Sequence, residues 1–356
     1  MKVCIIGDGL VSLVLAKALN MKGLLVDILY TNKLRKYDLD RTIGISKSNV
    51  EYLNKEIVNI EKILWKINEI KVFSENFDGE EILDFRNKEI FSIIKNQKLY
   101  ELLIKDIKKN KHIKFLKNKN FSISFRNKYK LIINCDVNHS ITKKFFSRKI
   151  VKNYNSSAFT TIINHKSLKN NDIAIQIFTK NGPIAFLPIS NNQTSVVYSF
   201  KGRNKNIEIN DLIKKFNPKY EIITINNFSK FELKFSHLRK YYEENILAFG
   251  DCIHRIHPVA GQGFNMSLRD IKLLLELIDD KISLGLDLDM SICHKFQNEI
   301  KDKNFIFSTS IDWIYEIFNF ESKNNLKFIS RYIKTFGKNK SINLLFKKLA
   351  DKGLRI

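Results

Sequence analysis

The sequence predicts an α/β protein with an inserted, mostly antiparallel β-sheet and a helical C-terminal region. A glycine-containing turn at Gly7–Gly9 separates a short apolar run from an amphipathic helical pattern. Short runs rich in β-forming residues, divided by Asn, Lys and Gly clusters, lie between about residues 156 and 235. Beyond Cys293, aromatic and aliphatic residues alternate with lysines at helical spacing. The length of 356 residues suits one nucleotide-type domain with such an insertion and a tail.

The N-terminal segment has the order of a Rossmann-like dinucleotide-binding unit. Val3–Ile6 is expected to be a short buried strand, followed by Gly7, Gly9 and Leu10 in the turn and at the helix start. Ser12 occupies the position of the third glycine in the GxGxxG pattern. That pattern alone is weak evidence, but a strand before it and a helix after it are the context it requires. Serine is small, so we expect the helix to pack closely on the strand.

The most specific segment is Gly250–Ile271. It follows the apolar run Asn245–Phe249, which predicts a buried strand, and it leads into a helical pattern. The segment contains, in fixed order, Asp251, Pro258, Gly261, Gly263, Phe264 and Asn265. A strand, a Gly-rich loop and a helix N-terminus bring unpaired N–H groups and the positive end of a helix to one place. A generic turn does not need His, Pro, Gln and Asn at these offsets.

This segment resembles the GD motif of the FAD-dependent aromatic-ring monooxygenases, the para-hydroxybenzoate hydroxylase-like family. Within that family, the run His257–Gly263 resembles the ubiquinone-biosynthesis hydroxylases. The resemblance implies that Asp251 accepts hydrogen bonds from the FAD ribityl chain. It also implies that Gly263, Phe264 and Asn265 hold the flavin edge on which negative charge accumulates upon reduction.

Three further segments match the same family. Asp40–Ser46 matches the arginine segment, which implies that Arg41 lies near the FAD pyrophosphate and ribose; a solvated loop arginine is the alternative. Asp136, within Leu131–Ser140, matches an aspartate that contacts FAD in a region that helps receive the nicotinamide cofactor. Asn96 takes the family's polar entry to a helix beside the pyrophosphate.

The chain departs from the family at the adenosine and nicotinamide ends. Tyr30 stands where an acidic residue usually binds the adenosine ribose, and Asp27, three residues earlier, is expected to face a sheet surface. Val137 replaces the glycine after Asp136, so the turn there must be built differently. Lys143 stands where the family usually has arginine.

The inserted sheet contains the segment expected to contact substrate. Gly182–Pro188 matches a family segment that runs beside the substrate cavity and the flavin, which implies substrate contacts from Pro183, Leu187 and Pro188, together with Pro258. A tight hairpin with no ligand is the alternative. Pro188 is expected to end or edge a strand.

These motifs predict a domain division. Residues 1–70, 92–155 and 236–300 form the FAD-binding domain, residues 71–91 and 156–235 form the substrate-binding sheet, and residues 301–356 form the helical region. The four cysteines, Cys4, Cys135, Cys252 and Cys293, have no CxxC or metal spacing, so we expect reduced cysteines, no metal and a cytoplasmic protein. No run approaches the length of a membrane span, and no secretory signal is expected.

The formal net charge of +24 could indicate nucleic acid or an anionic membrane as a partner. Lysines are spread along the whole chain without a basic helix or base-reading motif, so nucleic acid is not expected. Attraction to anionic lipid stays open, because the resemblance implies a lipid-tailed substrate. The amphipathic tail could cap the active site, meet a partner in a quinone-synthesis complex, or lie on the inner face of the membrane; a packed helix pair is the alternative.

The resemblance implies hydroxylation of an electron-rich aromatic ring, on a hydrophobic or polyprenylated phenol of ubiquinone biosynthesis, with FAD, NADH or NADPH as reductant, and O2. His254 and His257 are candidates for substrate positioning or proton transfer, with bracing of the loop as the alternative. Two other functions stay open. One is a different flavoenzyme, such as an isoprenoid reductase or a halogenase, although Trp65 and Trp313 are too far apart for the halogenase signature. The other is a non-catalytic FAD-fold subunit of a quinone-synthesis complex.

Overall fold

The computed structural model describes residues 1–30, 41–75, 81–117, 126–201, 209–258, 261–324, 331, 335 and 340–354. The strands are β1 (Lys2–Ile6), β2 (Leu25–Tyr30), β3 (Thr42–Ser46), β4 (Trp65–Ser74), β5 (Glu81–Lys95), β6 (Ile113–Lys117), β7 (Leu131–Asn134), β8 (Lys149–His165), β9 (Ile173–Thr179), β10 (Gly182–Pro188), β11 (Gln193–Lys201), β12 (Ile222–Ile225), β13 (Ser229–Leu238), β14 (Tyr242–Glu243), β15 (Ile246–Ala248) and β16 (His254–Arg255). The α-helices are α1 (Leu10–Met21), α2 (Lys47–Tyr52), α3 (Asn96–Ile107), α4 (Ser140–Phe145), α5 (Ile209–Lys215), α6 (Gln262–Ser283), α7 (Met290–Lys323) and α8 (Lys340–Lys352), with short helical turns at Leu53–Ile57, Glu61–Ile63 and Gly250–Cys252.

One sheet forms the nucleotide-type domain. Its six strands have the order β14-β15-β7-β1-β2-β6, and all neighbours are parallel except β14 and β15. Parallel strands in the interior have apolar side chains on both faces, as Val3–Ile6 shows. Their carboxyl ends meet at one edge, so the turn after β1 comes beside Asp136, which follows β7, and Asp251, which follows β15.

A second sheet forms the inserted domain. It has the order β16-β13-β8-β11-β10-β9-β4-β5-β3, with β12 paired to β8 outside this path. All pairs are antiparallel except β4 with β9. The 17-residue strand β8 organises the sheet because it pairs with β11, β12 and β13. Pro188 is the last residue of β10, as the sequence predicts.

The helical region follows the sheets. In the part of the chain that the structure describes, α7 runs for 34 residues, and Phe318 stacks on Phe178 of β9 with ring centroids 3.9 Å apart. α8 lies against α2 and β5. The predicted fold class is therefore confirmed: a Rossmann-like α/β domain, an inserted and mostly antiparallel sheet, and a helical C-terminal region. The domain limits stay a prediction; β3, which falls in the first predicted segment, pairs with β5 in the large sheet.

The four cysteines are all unpaired, with Cys4, Cys252 and Cys293 buried and Cys135 half-buried. Burial raises the pKa of the Cys252 thiol to about 12, so the thiol is protonated at neutral pH and is not a nucleophile. Within the described ranges, no helix combines the length and the apolar character needed to span a bilayer.

Candidate functional site

The turn after β1 favours glycine because of its backbone conformation. Gly7 has a φ of +108°, and a Cβ at this position would lie 3.4 Å from both the Asp136 Cβ and the Ser12 Oγ. Ser12 is buried in α1, so the helix packs closely on the strand despite the missing third glycine. The side chain of Leu10 packs in the main core, which leaves its main-chain N–H as the group that a ligand could use.

The helices α1, α3 and α6 have no side-chain cap at their N-termini. α1, α3 and α6 begin after Gly9, Lys95 and Gly261, and none of the three has an acidic residue in its first turn. By contrast, α7 is capped by Asp289, whose carboxylate accepts a hydrogen bond from the Ser291 N–H. Uncapped N–H groups and the positive ends of the helix dipoles favour negatively charged or carbonyl-bearing ligands.

The start of α3 contains a buried acceptor without a partner. The Asn96 N–H donates to the Arg41 carbonyl over 3.0 Å, so these two candidate residues are neighbours. Asn96 is 6% exposed, and its Oδ1 has no hydrogen-bond partner. Arg41 is half-buried, with its guanidinium 4.8 Å above the Phe231 ring. An unsatisfied buried oxygen is costly, and a ligand hydroxyl beside Asn96 would satisfy it, so this corner fits a polyhydroxylated, anionic cofactor.

The β7–α4 turn is built without the family glycine. The Asp136 carboxylate accepts from the Asn138 N–H at 2.9 Å, and the Thr142 hydroxyl donates to the Asp136 carbonyl at 2.7 Å. Val137 does not have a positive φ, so it avoids the left-handed conformation that a β-branched residue resists. Asp251 follows β15 at the same edge, and its side chain is exposed. It is thus open to accept hydrogen bonds from a ligand.

The adenosine end differs from the rest of this edge. Tyr30 is half-buried at the end of β2. Asp27 is 1% exposed; its carboxylate accepts from the Tyr129 hydroxyl at 2.6 Å and pairs with the Lys2 ammonium at 2.7 Å. The Asp27 carboxylate is therefore buried, where it bonds to the Tyr129 hydroxyl and balances the charge of Lys2, and it does not face an open sheet surface.

The first turn of α6 is fixed by Asn265. This side chain is fully buried; it donates to the Gly44 and Gly261 carbonyls at 3.0 and 3.1 Å, and it accepts from the Ser46 N–H at 2.9 Å and the Asn49 amide at 3.0 Å. All of its hydrogen-bonding capacity is thus used within the protein. The main-chain N–H groups at the start of α6 are the groups left for a ligand. Around the neighbouring Gly263, a Cβ would meet nothing within 4 Å.

An apolar wall borders this turn. The Phe91 ring lies on Gly44, and a Cβ added to Gly44 would be only 1.8 Å from this ring. A Cβ added to Gly261 would be 3.5 Å from the same ring. Phe91 and Leu187 both pack against the cluster that contains Ile93, so the ring beside the α6 turn and the predicted substrate segment border the same apolar cluster. The other predicted substrate contacts, Pro183 and Pro188, are buried within β10. Pro258 is half-buried, and its carbonyl accepts from the Gly261 N–H at 3.0 Å; Val259 and Ala260 of the same motif lie outside the described residues.

The two candidate histidines are buried. His254 Nε2 lies 3.0 Å from the Asp270 carboxylate, and the side chain is 1% exposed. His257 stacks on Tyr315, with ring centroids 4.0 Å apart, and burial lowers its pKa to about 3. The His257 ring is packed between Tyr315 of α7 and Tyr154 of β8, and His254 is held by Asp270 in the interior. Buried rings in such contacts are poorly placed to exchange protons, so this geometry favours the bracing alternative for both residues.

The structure thus brings together the turn at Gly7 and Gly9, Asp136, Asp251 and the start of α6, with Arg41 and Asn96 adjacent to each other. Sequence reasoning missed the contacts of Gly44, Phe91 and Asn49, which form the opposite side of the α6 turn. Gly44 lies within the matched arginine segment, which was the available signal. Phe91 had none, because a single aromatic residue in a strand usually indicates core packing.

Comparisons with known proteins agree with this geometry. A family described as "FAD binding domain" matches residues 125–280. The mitochondrial ubiquinone biosynthesis monooxygenase COQ6 of Danio rerio is 24% identical over 252 residues, covering 58% of this chain and 51% of that protein. The 3-demethoxyubiquinol 3-hydroxylase of Escherichia coli (strain K12) is 30% identical over 164 residues, covering 44% of this chain and 41% of that protein. Residues 125–280 therefore match an FAD-binding domain, and the chain is similar in sequence to ubiquinone-biosynthesis hydroxylases. It spans about half the length of the curated relatives that it matches.

Solved structures show the same fold over nearly the whole chain. The p-nitrophenol 4-monooxygenase PnpA from Pseudomonas putida DLL-E4 superposes with a TM-score of 0.78 at 12% identity and covers 99% of this chain and 98% of its own. Klebsiella pneumoniae HpxO, in a complex with FAD and uric acid, gives a TM-score of 0.76 at 13% identity and covers 99% of this chain and 97% of its own. At such low identity, the likeness establishes the fold alone.

Proposed function

We propose that this protein is an FAD-dependent monooxygenase that hydroxylates an electron-rich aromatic ring, on a polyprenylated phenol intermediate of ubiquinone biosynthesis. The observation that carries the proposal is the junction at the start of α6, where uncapped N–H groups adjoin the apolar ring of Phe91, which borders the same apolar cluster as Leu187. One side of this junction suits a polar ring edge, and the other suits a hydrophobic substrate. The COQ6 and 3-demethoxyubiquinol 3-hydroxylase relatives supply the substrate class.

We assign the cofactor contacts by the chemistry of each group. Gly7, Gly9 and the Leu10 N–H lie at the start of α1, where pyrophosphate would meet the positive end of the helix. Arg41 and Asn96 supply a fork-shaped donor and a buried acceptor beside it. Asp136 and Asp251 accept hydrogen bonds from sugar-like hydroxyls.

The substrate side is assigned in the same way. The main-chain N–H groups at the start of α6, at Gly263 and Phe264, would hold and polarise the edge of a bound flavin ring. Leu187 and Phe91 border one apolar cluster and would exclude water from the reacting face, while Pro183, Pro188 and Pro258 would fix the strand and loop around it. When bound, FAD supplies electron transfer from NADH or NADPH and the activation of O2.

A spectroscopic experiment tests this function. The purified protein is reconstituted with FAD, its visible spectrum is recorded, and NADH or NADPH is added in air with and without a prenylated phenol. Bleaching of the flavin band together with a product that contains one more oxygen supports the proposal. A flavoprotein that reduces a prenyl double bond would point to the isoprenoid reductase alternative. Failure to take up FAD would exclude both enzymes and leave the non-catalytic subunit.

We further propose that the protein works at the inner face of the cytoplasmic membrane, where a prenylated substrate would reside. Two helices expose apolar side chains: Ile306, Trp313 and Phe320 on α7 are 54%, 64% and 56% exposed, and Leu344, Leu345 and Phe346 on α8 are 55%, 48% and 43% exposed. Exposed Lys348 and Lys352 flank the apolar residues of α8. A basic helix with exposed apolar residues matches an anionic lipid surface.

Vesicle sedimentation tests this location. We expect binding to vesicles that contain anionic phosphatidylglycerol, weaker binding to phosphatidylcholine vesicles, and loss of binding in the Leu344→Ser, Leu345→Ser double variant. The matched control is Ile223→Ser, which changes an apolar residue of β12 that is 65% exposed but lies outside the two helices. Equal sedimentation with both lipids would refute the preference for anionic lipid, and sedimentation with neither would refute the lipid contact. If the protein co-purifies with another enzyme of quinone synthesis, the exposed apolar residues would be assigned to a protein contact instead.

A further inference from the structure

The last turn of α8 provides the N-terminal cap of a distant helix. α2 has no cap of its own, because the Ser46 side chain makes no capping bond. The Asp351 carboxylate accepts a hydrogen bond from the Ser48 N–H at 2.9 Å, across 303 residues of sequence. The Asp351 carbonyl also accepts from the Ser46 and Ser48 hydroxyls at 3.1 and 3.2 Å. One residue of the C-terminal helix therefore satisfies several donors at the β3–α2 junction.

The same turn of α8 is bonded to the start of α6. The Gln262 amide, in the first residue of α6, donates to the Ala350 carbonyl at 3.0 Å. Arg269 is 8% exposed and donates to the Asp351 carbonyl at 3.3 Å and to the Gln262 Oε1 at 3.4 Å. Gly353 has a φ of +70°, and a Cβ there would lie 2.9 Å from the Arg269 Nε, so only glycine allows this close approach.

These contacts meet at the turn that the proposed function assigns to the flavin. Asn265 links the start of α6 to Ser46 from inside the protein, and Asp351 and Gln262 link the same two segments from the C-terminal side. The orientation of the α6 N–H groups relative to β3 is thus fixed from two directions. Without the C-terminal contacts, the β3–α2 junction would lose its cap, and the first residue of α6 would lose its tertiary bond.

We infer that the C-terminal helix is a clamp on the flavin-facing turn, with Asp351 as its main positioning residue. This inference rests on the proposed function, because it states what the C-terminal helix does for that site. Removing a helix cap shifts local equilibria about fivefold. A ligand that binds only the capped geometry has its affinity reduced by the same factor as the population of that geometry. We therefore expect Asp351→Ala to weaken FAD binding by about threefold to tenfold.

The test compares three full-length variants. Asp351→Ala removes the acceptor, and Asp351→Asn keeps an oxygen that can accept from the Ser48 N–H. Asp289→Ala removes a chemically similar cap from α7, far from this turn. FAD dissociation constants come from quenching of flavin fluorescence, and amide hydrogen exchange is followed across residues 44–50 and 261–266. We expect weaker binding and faster exchange for Asp351→Ala, recovery for Asp351→Asn, and unchanged binding for Asp289→Ala.

Each outcome decides the inference. Unchanged FAD affinity and unchanged exchange in Asp351→Ala would overturn it, as would equal losses in Asp351→Asn or Asp289→Ala. If the wild-type protein takes up no FAD, the proposed function fails, but hydrogen exchange still tests the clamp. In that case, faster exchange across residues 44–50 and 261–266 in Asp351→Ala alone supports the clamp, and unchanged exchange refutes it.

Discussion

Replacing Asn265 by leucine should remove a large share of the stability of the domain. The two side chains are similar in size, so the main change is the loss of four hydrogen bonds, to Gly44, Gly261, Ser46 and Asn49. Each such bond contributes about 1 kcal/mol net, and the abandoned partners are mostly buried, which gives a loss of about 4 kcal/mol. Typical unfolding free energies are about 5–15 kcal/mol, so the effect is easily measured.

The assay is urea unfolding followed by circular dichroism, together with a double-mutant cycle. Asn49→Ala should cost about 1–2 kcal/mol in the wild-type protein and about 1 kcal/mol less in the Asn265→Leu background, because the shared bond is already gone. Asn298→Leu changes an exposed asparagine on α7 and should leave the free energy of unfolding within about 0.5 kcal/mol of wild type. A loss below about 1 kcal/mol for Asn265→Leu would refute the reasoning that this side chain fixes the α6 turn.

Three other results are expected. Gly44→Ala should destabilise the protein by about 1–3 kcal/mol, because the new Cβ would lie 1.8 Å from the Phe91 ring; if the clash is the cause, the cost should fall below about 0.5 kcal/mol in a Phe91→Ala background. Burial lowers the pKa of His257 from 6.5 to about 3, so the unfolded chain binds a proton more readily, and the free energy of unfolding should fall as the pH drops from 6.5 toward 3. At pH 5, this loss is about 2 kcal/mol. The His257→Phe variant can keep the stack on Tyr315, and it should lose less stability between pH 7 and pH 5 than wild type does. Equal losses in the two proteins would contradict the assignment. Asp251→Ala should weaken FAD binding about tenfold or more without moving the unfolding midpoint of the apoprotein. The reason is that the side chain is exposed and makes its proposed bonds only to the cofactor. A lowered midpoint with unchanged affinity would make Asp251 a structural residue.

The sequence predicted the elements and their order well. Val3–Ile6 and the run before Gly250 are apolar in the way that buried parallel strands require, and the alternating runs after residue 156 became β8, β9, β11 and β12. Local patterns succeed here because periodicity reports which face of an element is buried. The glycine at position 7 was likewise readable, since its positive φ is a local requirement.

The sequence was less informative about which polar groups remain available. The start of α6 at Gly263, Phe264 and Asn265 was expected to meet the flavin, which stays a prediction; the Asn265 side chain is used within the protein, so its main-chain N–H is the group left for that role. Asp27 was expected on a sheet surface, but it is buried between Tyr129 and Lys2. A motif fixes residue identity and spacing, whereas hydrogen-bond satisfaction depends on neighbours that are far away in sequence.

By itself, the sequence determined the α/β class, the resemblance to FAD-dependent hydroxylases and the segments proposed to meet the cofactor, because these depend on local spacing and short-range backbone geometry. Only the tertiary structure decided that Phe91 closes the space beside Gly44, and that Asp351 caps α2 from the opposite end of the chain. The physical reason is that such contacts are set by packing between elements, which leaves no periodic trace in the residues that make them.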